Sequence, residues 1–265
     1  RCWLILAVIG ALPFVLSREI PFFIDALFET VSGFTTTGAT ILGDVEALSH
    51  ASMLWRCLTH WVGGMGVLVF MLIVLPLAGG QTIFLMRAES PGPSVSKMSP
   101  RMRDTATILY AIYFGLTVLQ MILLLIGGMP LFDAICVSLG TAGTGGFGNW
   151  NDSIAHYNSA YLQNVITVFM ILFGINFSAY FLILTRKFRQ AFRIEEIRVY
   201  LGVIFVFAGL IAFNVRPMFG SLRESFHHAL FQVASIITTT GFSTVDFDQW
   251  PTFSRALLVL SLIHI

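Results

Sequence analysis

Apolar residues are distributed along the chain in long, nearly uninterrupted runs rather than in the short alternation of a half-buried sheet. Five runs are clear, and a sixth begins near Phe253 and continues to Ile265. The five occupy residues 2–16, 53–78, 106–126, 160–184 and 199–213. Because a helix needs about 20 residues to cross a bilayer, we predict an all-α, multi-pass membrane protein whose first and last runs are cut short.

Composition points to the same class. Hydrophobic residues make up 56% of the chain, charged residues only 11%, and the mean hydropathy is +0.83. Soluble domains average about 45–50% apolar and about 25% charged residues. Membrane lipid is therefore an expected partner, whereas a formal net charge of +1 gives no reason to expect nucleic acid.

The basic residues predict the orientation. Nine of the fifteen Lys and Arg residues fall in two connections between apolar runs. They are Arg87, Lys97, Arg101, Arg103, Arg186, Lys187, Arg189, Arg193 and Arg198. The positive-inside rule places both connections in the cytoplasm. The other connections then face outward; they contain Arg18, Arg56, Arg216, Arg223 and Arg255.

The outward connections contain an internal repeat. Residues 24–39, 132–147 and 227–242 align without gaps, and each copy is an apolar stretch of about ten residues followed by a Thr/Gly-rich run. The common register places Gly38, Gly146 and Gly241 at one position. The runs themselves read TTTG at 35–38, GTGG at 143–146 and TTTG at 238–241.

Each apolar stretch has the length of half a membrane helix. Ten helical residues rise about 15 Å, whereas the hydrocarbon core is about 30 Å thick. Typical helix-start residues mark the beginning of each stretch: Pro21 with Asp25, Pro130 with Asp133, and Ser221 with Glu224. A re-entrant helix directs the negative end of its dipole into the membrane, where it favours a cation.

The returning Thr/Gly-rich run would supply backbone carbonyls, and rings of carbonyls replace the hydration shell of a permeating ion. Glycine permits the positive φ that such a strand requires, and threonine adds a hydroxyl. The three runs are therefore predicted to be walls of a cation filter.

Several segments resemble the superfamily of Trk, Ktr and HKT cation transporters, and within it the bacterial Trk-type potassium uptake subunits. They are FETVSGFTTTGAT at 28–40, HWVGGMGVLVF at 60–70, RAESPGP at 87–93, KMSPRM at 97–102, FDAI at 132–135 and ITTTGFSTVDF at 237–247. The resemblance covers essentially the whole chain. It implies helix, pore-helix, filter, helix units like those of potassium channels, with four such repeats around one pore. It also implies nine ion-binding filter residues in this chain, namely Thr36, Thr37, Gly38, Thr144, Gly145, Gly146, Thr239, Thr240 and Gly241. The second of these filters lacks the triple threonine and so offers fewer hydroxyls.

Under this resemblance the chain divides into 1–80 (repeat 1), a basic loop at 81–104, 105–185 (repeat 2), a basic loop at 186–198, and 199–265 (a truncated repeat 3). We therefore expect a fragment that lacks the fourth filter and the gating loop of the third repeat. The resemblance further implies a homodimer, a cytoplasmic nucleotide-binding regulatory subunit, and a location in the bacterial inner membrane. Every filter present has glycine, which resembles the potassium-selective pattern of this superfamily, so the resemblance makes potassium the expected transported ion. No other cofactor is expected.

Other interpretations remain open. A sodium or mixed-cation conductor of the same superfamily is the main alternative, and a non-transporting scaffold is a remote one. An enzyme is not expected, because the chain has no His-Glu-x-x-His motif. Asn176 could line an ion path, although an interhelical hydrogen bond is favoured. Asp44, Glu46, Asp246 and Asp248 could concentrate cations outside the filter or be ordinary solvated charges.

Overall fold

A computed structural model describes residues 2–66, 102–184, 186, 190 and 194–263. Within these residues the secondary structure is entirely helical, which confirms the all-α prediction for the described part. The helices are α1 (Cys2–Leu16), α2 (Phe23–Phe34), α3 (His50–Gly64), α4 (Met102–Ile126), α5 (Leu131–Ala142), α6 (Ala160–Phe173), α7 (Phe177–Leu184), α8 (Glu195–Val215), α9 (Leu222–Ile237) and α10 (Thr252–Ile263). The basic loop at 81–104 lies almost wholly outside the described residues.

The packing follows one scheme along the chain. Three short helices each pack against the helix before and the helix after them in the chain. Helix α2 packs between α1 and α3, α5 between α4 and α6, and α9 between α8 and α10. The contacts between these groups also correspond, because α3 packs on α5 and α6 packs on α9. Each central helix is thus held on several sides, and its C-terminal end is fixed in relation to its neighbours.

The central helices begin where the sequence signals predict. Ser221 precedes α9, and its side chain accepts a hydrogen bond from the backbone N of Glu224 at 3.2 Å. Pro130 occupies the corresponding cap of α5, and Pro21 stands just before α2. Helices α2 and α5 have 12 residues and α9 has 16. At 1.5 Å per residue these lengths are about 18–24 Å, too short to cross a bilayer.

Large apolar side chains are exposed on helices α1, α4 and α8, which flank the short central helices. Examples are Leu4 (73% exposed), Ile126 (71%) and Phe213 (74%). Two described helices, Thr107–Ile126 and Glu195–Met218, are long and apolar enough to cross a membrane by length and composition. Such broad apolar surfaces are unusual on soluble monomers and fit contact with lipid.

The fourth apolar run is not one helix, so the prediction of a continuous segment at 160–184 was wrong. Helix α6 ends at Phe173, and α7 begins at Phe177. Two tyrosine hydroxyls pair with carbonyls at the break: Tyr200 Oη donates to Ile171 O at 3.2 Å and Tyr180 Oη to Leu172 O at 2.6 Å. Hydropathy could not reveal the break, because the residues on both sides are equally apolar.

Asn176 lies within this break, and its side-chain amide donates to Glu196 Oε2 at 3.4 Å. Glu196 belongs to the first turn of α8, so the contact joins the break to α8. The side chain does form a hydrogen bond to another helix, but from a position between two helices rather than from within one.

Gly174 in the same break packs closely against two other parts of the chain. A Cβ atom added there would collide with Tyr200 Oη and lie 2.8 Å from Thr238 Cγ2. We expect Gly174→Ala to lower the free energy of unfolding of the full-length protein by about 1–3 kcal/mol, as overpacking usually does. Thermal unfolding in detergent measures this. Gly202→Ala in α8, where the added Cβ meets nothing within 4 Å, should not destabilise the protein.

Candidate functional site

The predicted filter residues lie in three loops that leave the C-terminal ends of α2, α5 and α9. We call them loop 1 (residues 35–41), loop 2 (143–149) and loop 3 (238–244). Their backbones have the same pattern, in which a threonine with positive φ is followed two residues later by a glycine with positive φ. The φ values are 54° and 76° for Thr36 and Gly38, 52° and 76° for Thr144 and Gly146, and 57° and 80° for Thr239 and Gly241.

The threonines with positive φ belong to the ends of the helices. In loop 1 the backbone N of Thr36 donates to Gly33 O at 3.0 Å, and that of Thr37 donates to Ser32 O at 2.9 Å. This pair of bonds is the Schellman arrangement, which usually has glycine at the left-handed position. Loops 2 and 3 contain the equivalent bonds. A β-branched residue in this conformation is a true outlier, so all three loops hold the chain in a conformation that their own sequence disfavours.

The three loops also meet one another through a repeated contact. A Cβ atom added to Gly38 would overlap the carbonyl oxygen of Gly145, and one added to Gly146 would overlap that of Thr240. Gly145 and Thr240 occupy the same position in the repeat register. The glycine of one loop therefore faces the equivalent carbonyl of the next, first from loop 1 to loop 2 and then from loop 2 to loop 3. A Cβ atom added to Gly241 would meet nothing within 4 Å among the described residues.

The hydroxyls of the threonine runs bond largely within their own loops. The hydroxyls of Thr35 and Thr37 are 2.8 Å apart, as are those of Thr238 and Thr240. In addition, the Thr239 hydroxyl donates to Thr238 O at 2.7 Å. These bonds brace the turns of loops 1 and 3. They are intraloop contacts that the sequence did not predict.

Loop 2 has glycine where loops 1 and 3 have threonine because His60 of α3 occupies that space. A Cβ added to Gly143 would collide with the His60 carbonyl, and one added to Gly145 would lie 2.5 Å from the His60 ring. The His60 side chain is 0% exposed and stacks on the Phe147 ring, with centroids 3.8 Å apart. A histidine from a neighbouring helix thus fills the volume that threonine side chains occupy in the other loops.

Serine side chains connect two of the helices to their own returning loops. Ser32 Oγ donates to Ala39 O at 2.5 Å, and Ser235 Oγ donates to Phe242 O at 2.6 Å. Both carbonyls belong to the residue directly after the glycine. At the equivalent position of α5 stands Gly140, where an added Cβ would lie 2.5 Å from Phe147 O. There the backbone of loop 2 approaches the helix directly, and a serine would not fit.

The Ser235 bond gives a local prediction. Ser235→Ala leaves the buried Phe242 carbonyl without this donor, and we expect the free energy of unfolding to fall by about 1–2 kcal/mol. Chemical denaturation of the full-length protein would measure the change. Ser243→Ala, which removes no side-chain bond from a helix to the loop, serves as the control. An equal loss in both variants would show that the helix-to-loop bond contributes nothing.

The acidic residues after loop 1 do not stand alone in solvent. Asn151, which follows loop 2, donates from its side chain to Asp44 Oδ1 at 2.7 Å and from its backbone N to Glu46 Oε1 at 3.1 Å. Its side-chain oxygen accepts from Val45 N at 3.0 Å. These residues therefore join the segments that follow loops 1 and 2.

The sequence analysis did not predict the roles of two buried charged residues, Arg56 and Glu29. Arg56 lies within α3 rather than in an outward connection, so its assignment to a connection was wrong. Arg56 is 2% exposed and pairs with Glu29 of α2, which is 1% exposed. The available signal was a charged residue inside the apolar run at 53–78, because charges at membrane depth are rare and usually paired.

The family model described as "TrkH: Cation transport protein" matches residues 1–205 of the chain. The Trk system potassium uptake protein TrkH of Salmonella typhimurium is 38% identical over 265 residues, covering 98% of this chain and 55% of that protein. TrkG of Escherichia coli strain K12, also named as a Trk system potassium uptake protein, is 36% identical over 263 residues, covering 98% of this chain and 54% of that protein.

The crystal structure of the potassium transporter TrkH from Vibrio parahaemolyticus superposes with a TM-score of 0.82 at 30% identity, covering 98% of this chain and 53% of that one. The chain thus spans about half the length of the relatives it matches. The family resemblance inferred from the loop sequences is confirmed, and the fold agrees with it. The chain belongs to the TrkH family of cation transport proteins.

Proposed function

We propose that loops 1, 2 and 3 form three walls of a potassium-selective filter, and that the full-length protein takes up potassium across the bacterial cytoplasmic membrane. The single observation that carries this proposal is the repeated contact between the glycine of one loop and the equivalent carbonyl of the next. Because the contact recurs in the same register, it indicates that the loops are related to one another by rotation about a common axis. Carbonyls arranged around an axis are the ligands that replace the hydration shell of a cation.

Electrostatics support a cation at this place. Helices α2, α5 and α9 all end at the loops, so the negative ends of their three dipoles point to the same region. None of the nine proposed filter residues carries a charge. An ion there would be held by partial charges, which favours passage over tight binding.

The proposed units are helix, pore-helix, filter and helix, as in residues 1–80, 105–185 and 199–265, with basic loops at 81–104 and 186–198. Under this proposal the fourth wall belongs to a part of the full-length protein that this chain does not include, and it would adjoin Gly241. A dimer and a cytoplasmic nucleotide-binding subunit are further proposals, which rest on the family. The names of the relatives, which refer to a Trk system, support an assembly of several components.

Potassium rather than sodium is proposed because all three described loops have glycine at the shared register position, which is the potassium-selective pattern of the superfamily. The test is to express the full-length protein in a bacterium that lacks potassium uptake systems. Growth at low potassium and uptake of rubidium that excess sodium does not suppress would support the proposal. No growth, with no rubidium uptake, would contradict it. Equal uptake of sodium and rubidium would instead favour the mixed-cation alternative.

A further inference from the structure

Glu29 and Arg56 form an ion pair inside the helical packing, beside the loops. Arg56 Nε lies 2.6 Å from Glu29 Oε1, and the two side chains are 3% and 0% exposed respectively. Glu29 belongs to α2 and Arg56 to α3. The proposed transport function does not by itself require a charge pair at this place, so its other contacts indicate what it does.

Glu29 reaches the returning part of loop 1. Its carboxylate accepts from Thr40 Oγ1 at 2.9 and 3.1 Å and from the backbone N of Ile41 at 3.1 Å. Thr40 and Ile41 come two and three residues after Gly38. With the Arg56 bond included, both carboxylate oxygens are occupied, so Glu29 fixes the strand that leaves the proposed filter.

Arg56 reaches the returning part of loop 2. Its Nη1 donates to Gly148 O at 3.4 Å, and its guanidinium carbon lies 3.6 Å from the centre of the Phe147 ring. Phe147 directly follows Gly146, and Gly148 is the register equivalent of Thr40. One ion pair therefore connects equivalent positions of two adjacent loops.

The pair is specific to this junction in the described part of the chain. The register equivalents of Glu29 are Val137 in α5 and Gln232 in α9, neither of which carries a charge. A buried ion pair usually contributes little net stability compared with apolar residues of similar volume, because both charges must be desolvated. The planar guanidinium of Arg56, with its several N–H donors, does, however, fix the relative positions of the groups it binds in a way that apolar packing does not.

We propose that Glu29 and Arg56 are positioning residues that set the spacing of loops 1 and 2 and thereby the discrimination of the filter between potassium and sodium. The inference rests on the proposed function. Discrimination between these ions depends on where the carbonyls lie, and the pair fixes the backbone just after the glycines of both loops. The pair itself makes no contact with the ion in this mechanism.

The test compares rubidium with sodium uptake by the full-length protein, normalised to the amount of protein in the membrane. Arg56→Lys keeps the charge but loses the planar fork and the ring contact. Glu29→Asp keeps the charge but shortens the reach to Ile41. We expect each variant to retain uptake while the ratio of rubidium to sodium uptake falls about fivefold to tenfold, the usual size of a coupling between contacting groups.

Val137→Ala is the matched control. Val137 is the register equivalent of Glu29 and lies in the buried apolar core, where it forms no ion pair. The variant should therefore change protein abundance at most and leave the ratio of rubidium to sodium uptake intact. Ratios within twofold of wild type in both Arg56→Lys and Glu29→Asp would overturn the inference. If wild type itself takes up no rubidium, the proposed function fails, and the result is distinguishable from failure of this inference.

If neither charged variant accumulates in the membrane, Thr40→Val decides the question. Thr40 is exposed and its hydroxyl is one of the donors to Glu29, so this variant should insert normally. We expect the ratio to fall about twofold, as the loss of one hydrogen bond to a charged group shifts an equilibrium by at least that factor. An unchanged ratio would then overturn the inference.

Discussion

Gly146→Ala is expected to reduce rubidium uptake by the full-length protein at least tenfold. This corresponds to a free-energy cost of about 1.4 kcal/mol or more for the filter conformation that holds the ion. Two effects combine at this position. The φ of Gly146 is 76°, a conformation that strains any residue with a Cβ atom. The added Cβ would also overlap the carbonyl oxygen of Thr240, so loops 2 and 3 could not keep their contact.

Isotope uptake measured against the amount of protein in the membrane tests this prediction. Gly43→Ala is the control, because Gly43 follows loop 1 and an added Cβ there meets nothing within 4 Å. It should leave uptake close to wild type. Gly241→Ala tests the proposed fourth wall, since the φ of Gly241 is 80° and the described residues leave its Cβ position open. If a fourth wall adjoins Gly241 in the full-length protein, this variant should be as damaging as Gly146→Ala; a mild effect would contradict that wall.

Arg56→Ala is expected to lower the free energy of unfolding by about 3–5 kcal/mol, because it leaves the buried Glu29 carboxylate without its cation. The loss of the guanidinium contact with the Phe147 ring acts in the same direction. Thermal or chemical unfolding of the purified full-length protein measures the difference. Arg255→Ala, at an exposed position of α10, should cost far less.

A double variant tests the physical cause. Glu29→Leu combined with Arg56→Met removes both charges and keeps the volume, so it should recover much of the stability that Arg56→Ala loses. It should not recover the rubidium-to-sodium ratio, because apolar side chains cannot hold Thr40, Ile41 and Gly148. A stability loss equal to that of Arg56→Ala would show that desolvation of Glu29 is not the cause.

Local sequence signals were sufficient for the short helices. The proline and serine positions before α2, α5 and α9, with the apolar stretch and the Thr/Gly-rich run that follow, gave their starts and their ends. Helix starts and ends depend on a few neighbouring residues, which is why they could be predicted from the sequence. At the break at residues 174–176, by contrast, Tyr180 and Tyr200 pair with carbonyls of α6, and a hydropathy profile contains no record of such contacts.

The geometry of the loops was only partly predictable. Positive φ at the three glycines follows from their residue type, whereas positive φ at Thr36, Thr144 and Thr239 contradicts theirs. That conformation accompanies the Schellman bonds at the helix ends, and the propensity of threonine does not predict it. The space that His60 takes in loop 2 in place of threonine side chains could not be predicted locally, because His60 and Phe147 of loop 2 are 87 residues apart in the chain.

The central claim is that the glycine-bearing loops surround the path of the ion. The most direct test is the ratio of rubidium to sodium uptake in Gly38→Ser, with Gly43→Ser as the control. Gly38 faces the Gly145 carbonyl, so a serine there must displace one wall from the next. We predict that Gly38→Ser lowers the preference for rubidium over sodium while Gly43→Ser does not. Rubidium uptake and discrimination against sodium that are both unchanged in Gly38→Ser would contradict the account.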